Sequence, residues 1–356
     1  MTTAPAHSAA NNVILVGIGT LGCELAAQCH SAPARRLLSF DADALAPYPG
    51  PEALCLAAEP ENTADMDAEA MQQSAADAAI EILDAAHAHG NTLAVLLAAV
   101  GGHTGAIVIP ALASELKAAG ATVAVVALEP LPFEAAGRAD LAARAINELA
   151  NAADLVLVIP NRPLAELCDP AWPVARAIAH LKEKAADAVD HLIRALAGTA
   201  CVGLQPAELR RSLADAGRGA LATGLGAGDQ RVEKAIRDAC ANSFLTHENC
   251  RNASAAILHL LGSSDLTLRE VHAAADLLTQ LVGRVPIQIG LTIDLAAGEL
   301  IRATIIVTGI HPTPSDDLAS ELAAPAANTP ALGLYDGVDL DVPAFLRRRA
   351  LPQLRY

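Results

Sequence analysis

Two short glycine-interrupted turns carry the residues whose types and spacing suit anion chemistry. Gly17-Ile18-Gly19-Thr20-Leu21-Gly22 follows the apolar run Val13 to Val16, and Gly101-Gly102-His103-Thr104-Gly105 follows the apolar run Leu93 to Ala99. A glycine backbone can take positive φ and bring its N–H groups close to a phosphate, and a helix beginning just beyond aims its positive end at the same point. For the second turn this reading predicts that Gly101, Gly102 and Gly105 supply the freedom and that the helix starts near Ile107. The first turn fits G-x-G-x-x-G, and Asp41 and Asp43 stand about twenty residues on, where a dinucleotide-binding fold places its ribose carboxylate. The residues alone leave three readings open: a nucleotide cradle, a nicotinamide or flavin oxidoreductase using Gly17, Gly19, Gly22 and Asp41, or tight turns that bind nothing.

The elements that must hold these turns alternate. Strands are expected at Val13 to Val16, Leu37 to Phe40, Leu93 to Ala99, Ala121 to Leu128 and Leu155 to Ile159. Helices are expected at Cys23 to His30, Ala64 to His89, Ile107 to Ala119 and Ala139 to Asn151, with Pro47 to Thr63 as a loop. Alternation of this kind predicts an α/β fold with a doubly wound parallel sheet covered on both faces. Val174 to Ala197 reads as one long helix joining that domain to a smaller α+β one. There, helices are expected at Glu208 to Ala216, Gln230 to Asn242 and Leu268 to Val282, and a strand at Ala253 to Leu261. Two more strands, Pro286 to Asp294 and Leu300 to Gly309, meet near Ala297-Gly298 and predict a hairpin. The expected organisation is a flexible start (1–12), a nucleotide domain (13–173), a connecting helix (174–198), an α+β domain (199–311), a linker rich in Pro, Ser, Ala and Asp (312–334) and a terminal peptide (335–356).

Composition narrows the partners. The chain has 356 residues, 53% of them hydrophobic and only 2% aromatic, so its core must be built from small aliphatic side chains. A formal net charge of −16 argues against nucleic acid, whose backbone calls for clustered Lys and Arg. The seven cysteines are scattered and form no C-x-x-C, which predicts neither zinc nor a disulfide framework. Residues 1–12 lack a basic region followed by an apolar one, and no apolar run approaches the length of a membrane span, so a cytoplasmic protein is expected.

Taken in order, these pieces resemble FtsZ, the bacterial relative of tubulin, over nearly the whole chain. Gly101 to Ile107 sits where that family has GGGTGTG. Thr122 to Pro130 with Phe133-Glu134 and Arg138 is similar to its strand and P-x-x-F-E segment, and Leu155 to Asn161 to its IPN strand end. Gly217 to Gly228 with Arg231, and Ser264 to Val271, match its second domain. The tail Asp341-Val342-Pro343-Ala344-Phe345-Leu346-Arg347 is close to its terminal D-I-P-A-F-L-R peptide.

The resemblance implies a tubulin/FtsZ fold, guanine nucleotide (GTP or GDP, with Mg2+ as an optional companion) and head-to-tail protofilaments working in cell division at the division site. It places phosphates at Gly17, Gly19, Gly22, Gly101, Gly102, His103, Thr104 and Gly105, ribose at Glu134, Arg138 toward the nucleotide and the Asn161 amide at guanine. On the long helix Ile178 falls where the family has an aromatic. Lys182 and Glu183 replace its Asn-Asp pair, Glu183 still being able to accept from guanine N–H groups. Other departures weaken triphosphate binding. His103 and Ile107 replace glycines, and Glu24 replaces an Asn, adding Coulomb repulsion of about 1 kcal/mol or more. Residues 57–67 carry acids where the family has glycines. In the loop that completes the neighbour's site, Glu208 keeps the second acid while Gln205, in place of the first, cannot take a proton. Hydrolysis is expected to be slow, and the alternative is a non-hydrolysing paralogue that polymerises constitutively or regulates a conventional FtsZ by mixed assembly. Asp341, Pro343, Phe345, Leu346 and Arg347 are expected to dock on a membrane tether of the FtsA, ZipA or SepF type.

Overall fold

The computed structural model of the protein describes residues 12–56, 68–85, 92–131, 133–160, 168–169, 171–197, 206–241, 245, 250–310, 334–335 and 338–339. The chain forms two compact units, Met1–His311 and Pro312–Tyr356. In the second, Leu334–Tyr335 pairs antiparallel with Val338–Asp339. The expected linker residues 312–333 and the docking residues Asp341, Pro343, Phe345, Leu346 and Arg347 lie outside the described residues.

Within the first unit a run of parallel strands comes first: β1 (Asn12–Ile18), β2 (Ala34–Ser39), β3 (Ala53–Cys55), β4 (Thr92–Ala99), β5 (Thr122–Leu128) and β6 (Leu155–Ile159). They lie in the order β3-β2-β1-β4-β5-β6. β1, β4 and β5 are almost unbroken Val, Leu, Ile and Ala because both of their faces are covered. One face packs on α1 (Gly19–Gln28) and on the 23-residue amphipathic α6 (Val174–Leu196), through Leu25, Leu181 and Leu192. The other packs on α3 (Ala68–Ala85), α4 (His103–Ala118) and α5 (Ala136–Ala152), through Met71, Ile109 and Leu149. A short α2 (Ala42–Leu45) follows β2.

The sheet does not stop at the long helix. After α7 (Pro206–Leu213), β7 (Gly217–Gly226) pairs parallel with β6, and the sheet runs on as β10 (Ile301–Thr308), β8 (Ala255–Gly262) and β9 (Ile287–Ile293). α8 (Arg231–Ala241) and α9 (Leu268–Val282) cover this half.

Several expectations change. The segment Gly217–Gly226 forms strand β7, which its glycines hid: Gly224 and Gly226 lack Cβ atoms because the backbone of α8 presses against them at Ala235, Ala239 and Arg231. β9 and β10 are not a hairpin, since β8 lies between them, antiparallel to β10 and parallel to β9. The short connection Leu295–Ala297 is a 3-10 turn that carries the chain past the end of β8. Within the expected loop, Ala53–Cys55 adds an edge strand beside β2. α1 and α4 both begin four residues earlier than the periodicity suggests, at Gly19 and His103, because glycines dilute the apolar signal of a first turn.

The stretch Ser264 to Val271 and Arg231 have a structural explanation. The nearly buried Arg231 guanidinium donates from Nη1 to Asp265 Oδ2 and from Nε to Glu270 Oε1, both at 2.8 Å. Glu270 also closes a capping box with Thr267 at the start of α9. Hydrogen bonding to Arg231 is the main reason that the Glu270 carboxyl is pulled down to about 2. Of the cysteines, Cys23 and Cys29 are buried thiols whose pKa burial pushes up to about 12, and Cys55 is exposed. Among the described residues no cysteines are bonded to one another.

Candidate functional site

A cavity of about 510 Å3 opens where β1, β4 and β5 end, lined by Ile18, Ala99 and Leu128 at those ends. That volume falls within the usual range for small-molecule sites. β1 and β4 are neighbours from which the chain winds outward in opposite directions, and the crevice beyond such a reversal is where open parallel sheets hold ligands. The parallel register, Val13 against Leu93 through Ile18 against Ala98, brings the two strand ends level.

Each of those strands feeds a helix that starts at once. α1 begins at Gly19 and α4 at His103, and neither N-cap, Ile18 nor Gly102, offers a side-chain hydrogen bond to the first turn. The opening turn of a helix has N–H groups without intrahelical partners and about half a positive charge. Two such ends line one cavity, with Gly19, Thr20 and Leu21 from α1 and Gly102, His103 and Thr104 from α4. Neither first turn carries an acid.

The glycines divide by cause. Of those expected to cradle phosphate only Gly19 has a positive φ, at 72°. Gly101, Gly102 and Gly105 are absent from the positive-φ region, which corrects the backbone argument made for them. Gly105 and Gly22 are required for close packing: a Cβ on Gly105 would run into the Ala99 carbonyl, and one on Gly22 into that of Leu97. A Cβ on Gly17 would lie 2.5 Å from the Gly22 oxygen, and neither Gly17 nor Gly22 lines the cavity. Gly102 alone faces open space, so its backbone is accessible to a ligand.

Beyond the phosphate end, Glu134 and Arg138 line the cavity where β5 passes into α5. The Glu134 carboxylate accepts from the Leu131 N–H (2.8 Å) and from Arg138 Nη1 (2.9 Å), so it is held in place while keeping lone pairs for a hydroxyl. On α6, Ile178 and Lys182 line the cavity but Glu183 does not. Its side chain is 73% exposed, with a carboxylate oxygen 4.0 Å from His180 Nδ1. Glu24 is not the bare negative charge that the sequence suggested, because Lys182 Nζ donates to its Oε2 at 2.6 Å and offsets it.

The sequence reading missed Glu129, which lines the cavity at the end of β5. Burial raises its pKa, and the charge of Arg218 works against that shift. An acid directly after six apolar strand residues, Val123 to Leu128, and followed by Pro130 was the available signal. Glu208 stands exposed in the first turn of α7 and does not line the cavity of its own chain. Asn161, Gln205 and the acidic stretch 57–67 lie outside the described residues.

Residues 41–169 match the model of the tubulin/FtsZ family GTPase domain, and residues 217–311 that of the FtsZ family C-terminal domain. With both matches in succession, the chain is FtsZ-like. The cell division protein FtsZ 1 of Rhizobium meliloti (strain 1021) is 28% identical over 249 residues, which make up 70% of this chain and 41% of that protein. The chain thus spans about two fifths of the length of the curated FtsZ relatives it matches first. In fold it is similar to an empty FtsZ dimer of M. jannaschii (TM-score 0.73, 22% identity, covering 85% of this chain and 89% of that one). It is also similar to a GTPγS-bound protofilament of CetZ2 from Haloferax volcanii (TM-score 0.71, 20% identity, 85% and 94%). The tubulin/FtsZ assignment displaces the oxidoreductase reading. Asp41, its required ribose carboxylate, does not line the cavity and instead caps α2 by accepting from the Asp43 N–H.

Proposed function

We propose that the cavity binds a guanine nucleotide and that the chain assembles head to tail as a cell-division filament protein of the FtsZ type. The observation that carries this is the convergence of two helix N-termini without side-chain caps on one cavity, next to the fixed Glu134–Arg138 pair. Two positive helix ends suit the oxygens of a polyphosphate, and Glu134 suits a ribose hydroxyl. No group of three or more His, Cys, Asp or Glu that could hold a metal is present among the described residues, so Mg2+ would be held chiefly by the phosphates.

Glu208 is exposed and away from its own cavity, which suits action on a nucleotide held by the next subunit. Gln205 in place of an acid leaves one carboxylate at that interface, so hydrolysis is slow. The relatives described as a dimer and as a GTPγS-bound protofilament support assembly. The segment Asp341 to Arg347 is the docking peptide for a membrane tether. No helix among the described residues is long and apolar enough to cross a membrane.

Sedimentation with GTP, with GDP and without nucleotide, followed alongside phosphate release, tests this reading. Pelleting that needs GTP, with slow phosphate release lost in Glu208→Ala, is expected. Equal pelleting in all three conditions with no phosphate released would replace it with the constitutive, non-hydrolysing paralogue.

A further inference from the structure

The cavity wall formed by α6 bears on which base the site takes, an inference that rests on the nucleotide reading above. Ile178, Leu181, Lys182 and Ala185 all line the cavity, and their spacing of three and four residues puts them on one helix face. Ile178, Leu181 and Ala185 form an apolar strip, with Leu181 and Ala185 buried. With the phosphates at the N-termini of α1 and α4, this strip is a surface against which a purine can lie. Lys182 is the one polar side chain that α6 brings to the cavity among the described residues. Its ammonium has three donors and no acceptor, and the donor that points to Glu24 (2.6 Å) ties it to α1.

We propose that Lys182 sets base specificity by donating to O6 and N7 of a 6-oxopurine, and that Glu24 positions it. Lysine on O6 and N7 is a recognised guanine pairing, whereas adenine presents its amino donor next to N7 and meets the ammonium donor to donor. This edge carries no trace of the 2-amino group, so guanine and hypoxanthine are identical along it. The one carboxylate of α6 that the resemblance assigns to N1–H and the 2-amino group, Glu183, stands on the exposed side of the helix and does not line the cavity. The face that α6 presents therefore separates 6-oxo from 6-amino purines and does not separate guanine from hypoxanthine.

Calorimetric titration of the full chain with GDP, inosine diphosphate, ADP and pyrophosphate, at one ionic strength, tests this. GDP and inosine diphosphate are expected to bind within about threefold of each other and ADP about tenfold or more weaker. In Lys182→Met made together with Glu24→Gln, so that no carboxylate is left without its cation, both oxopurine nucleotides fall to the affinity of ADP while pyrophosphate is unchanged. In Glu24→Gln the ratio of GDP to ADP affinity narrows, a shift that a merely structural role would not produce. Inosine diphosphate binding about tenfold weaker than GDP overturns the proposal, as does an equal loss of pyrophosphate and nucleotides in the variant carrying both Lys182→Met and Glu24→Gln. Binding without base preference overturns this assignment alone, and no binding of any of the four overturns the nucleotide reading with it.

Discussion

Two helix N-termini in this molecule are built in opposite ways. α9, in the β7–β10 half, starts with a complete capping box, and its Glu270 is held further by Arg231, which also takes Asp265. α4, in the β1–β6 half, has Gly102 as its N-cap with no side-chain hydrogen bond, and α1 has Ile18 in the same way. Both regions carry family motifs rich in glycine and charge. In one half the polar groups satisfy each other, and in the other they are left open to a cavity. A motif is therefore not a site until the fold shows which of its hydrogen-bonding groups lack internal partners.

The comparison can be broken most directly at Gly105, which sits in the binding motif yet is needed for packing. Gly105→Ala is expected to destabilise by about 3 kcal/mol, since its Cβ must displace the Ala99 carbonyl. A melting temperature unchanged from wild type would return Gly105 to a purely ligand-binding role. Next is Arg231→Met, which leaves Asp265 and Glu270 without their cation. As Asp265 is partly exposed, the loss should be about 2 kcal/mol in urea denaturation, with nucleotide affinity unchanged.

Acid should sharpen the contrast, because the titrating interior groups cluster in and beside the second half. His191 and His259 are pushed down by burial to about 3 and about 4, so both stay neutral in the fold. The unfolded chain takes up their protons near pH 6.5, so stability is full above that value and falls as pH drops toward 4, by up to about 1.4 kcal/mol per pH unit and histidine. Glu270 acts in a lower window. Its carboxyl is held at about 2, so its contribution is full above the ordinary carboxylate range and is lost as pH falls through that range toward 2. Urea midpoints from pH 7 to 4 should fall steadily, and a His191→Gln, His259→Gln variant should show a flatter profile between pH 6.5 and 4.

The smallest effect on stability is expected at Gly102. With open space where its Cβ would point, Gly102→Ala should change stability by no more than about 0.5 kcal/mol. A titration should nonetheless show several-fold weaker nucleotide binding, because Gly102 lines the cavity and its backbone precedes the uncapped first turn of α4. Unchanged affinity would mean that the α4 end is not the phosphate site.

Much of the parallel half was legible because β1, β4 and β5 are buried on both faces and so read as unbroken apolar runs between helices. β7 was not, because its glycines serve contact with α8 rather than a turn. Nor was the placement of β8 between β9 and β10, since pairing partners are chosen by the whole sheet and not by the length of one connection. In the site, Glu134 and Arg138 could be named from spacing alone. Glu129 could not, because a single acid after a strand has no periodicity to mark it.

The sequence by itself determined the alternation of strands and helices, the two glycine turns and the resemblance to FtsZ, all of which depend on residues close together in the chain. Only the tertiary structure decided which α6 residues face the cavity, that Glu24 is offset by Lys182, and which glycines are needed for packing rather than for ligand. Those facts depend on groups far apart in sequence, such as Glu24 with Lys182 and Arg231 with Glu270, whose meeting is set by how helices pack on a shared sheet. The spacing of residues within either partner alone carries no record of it.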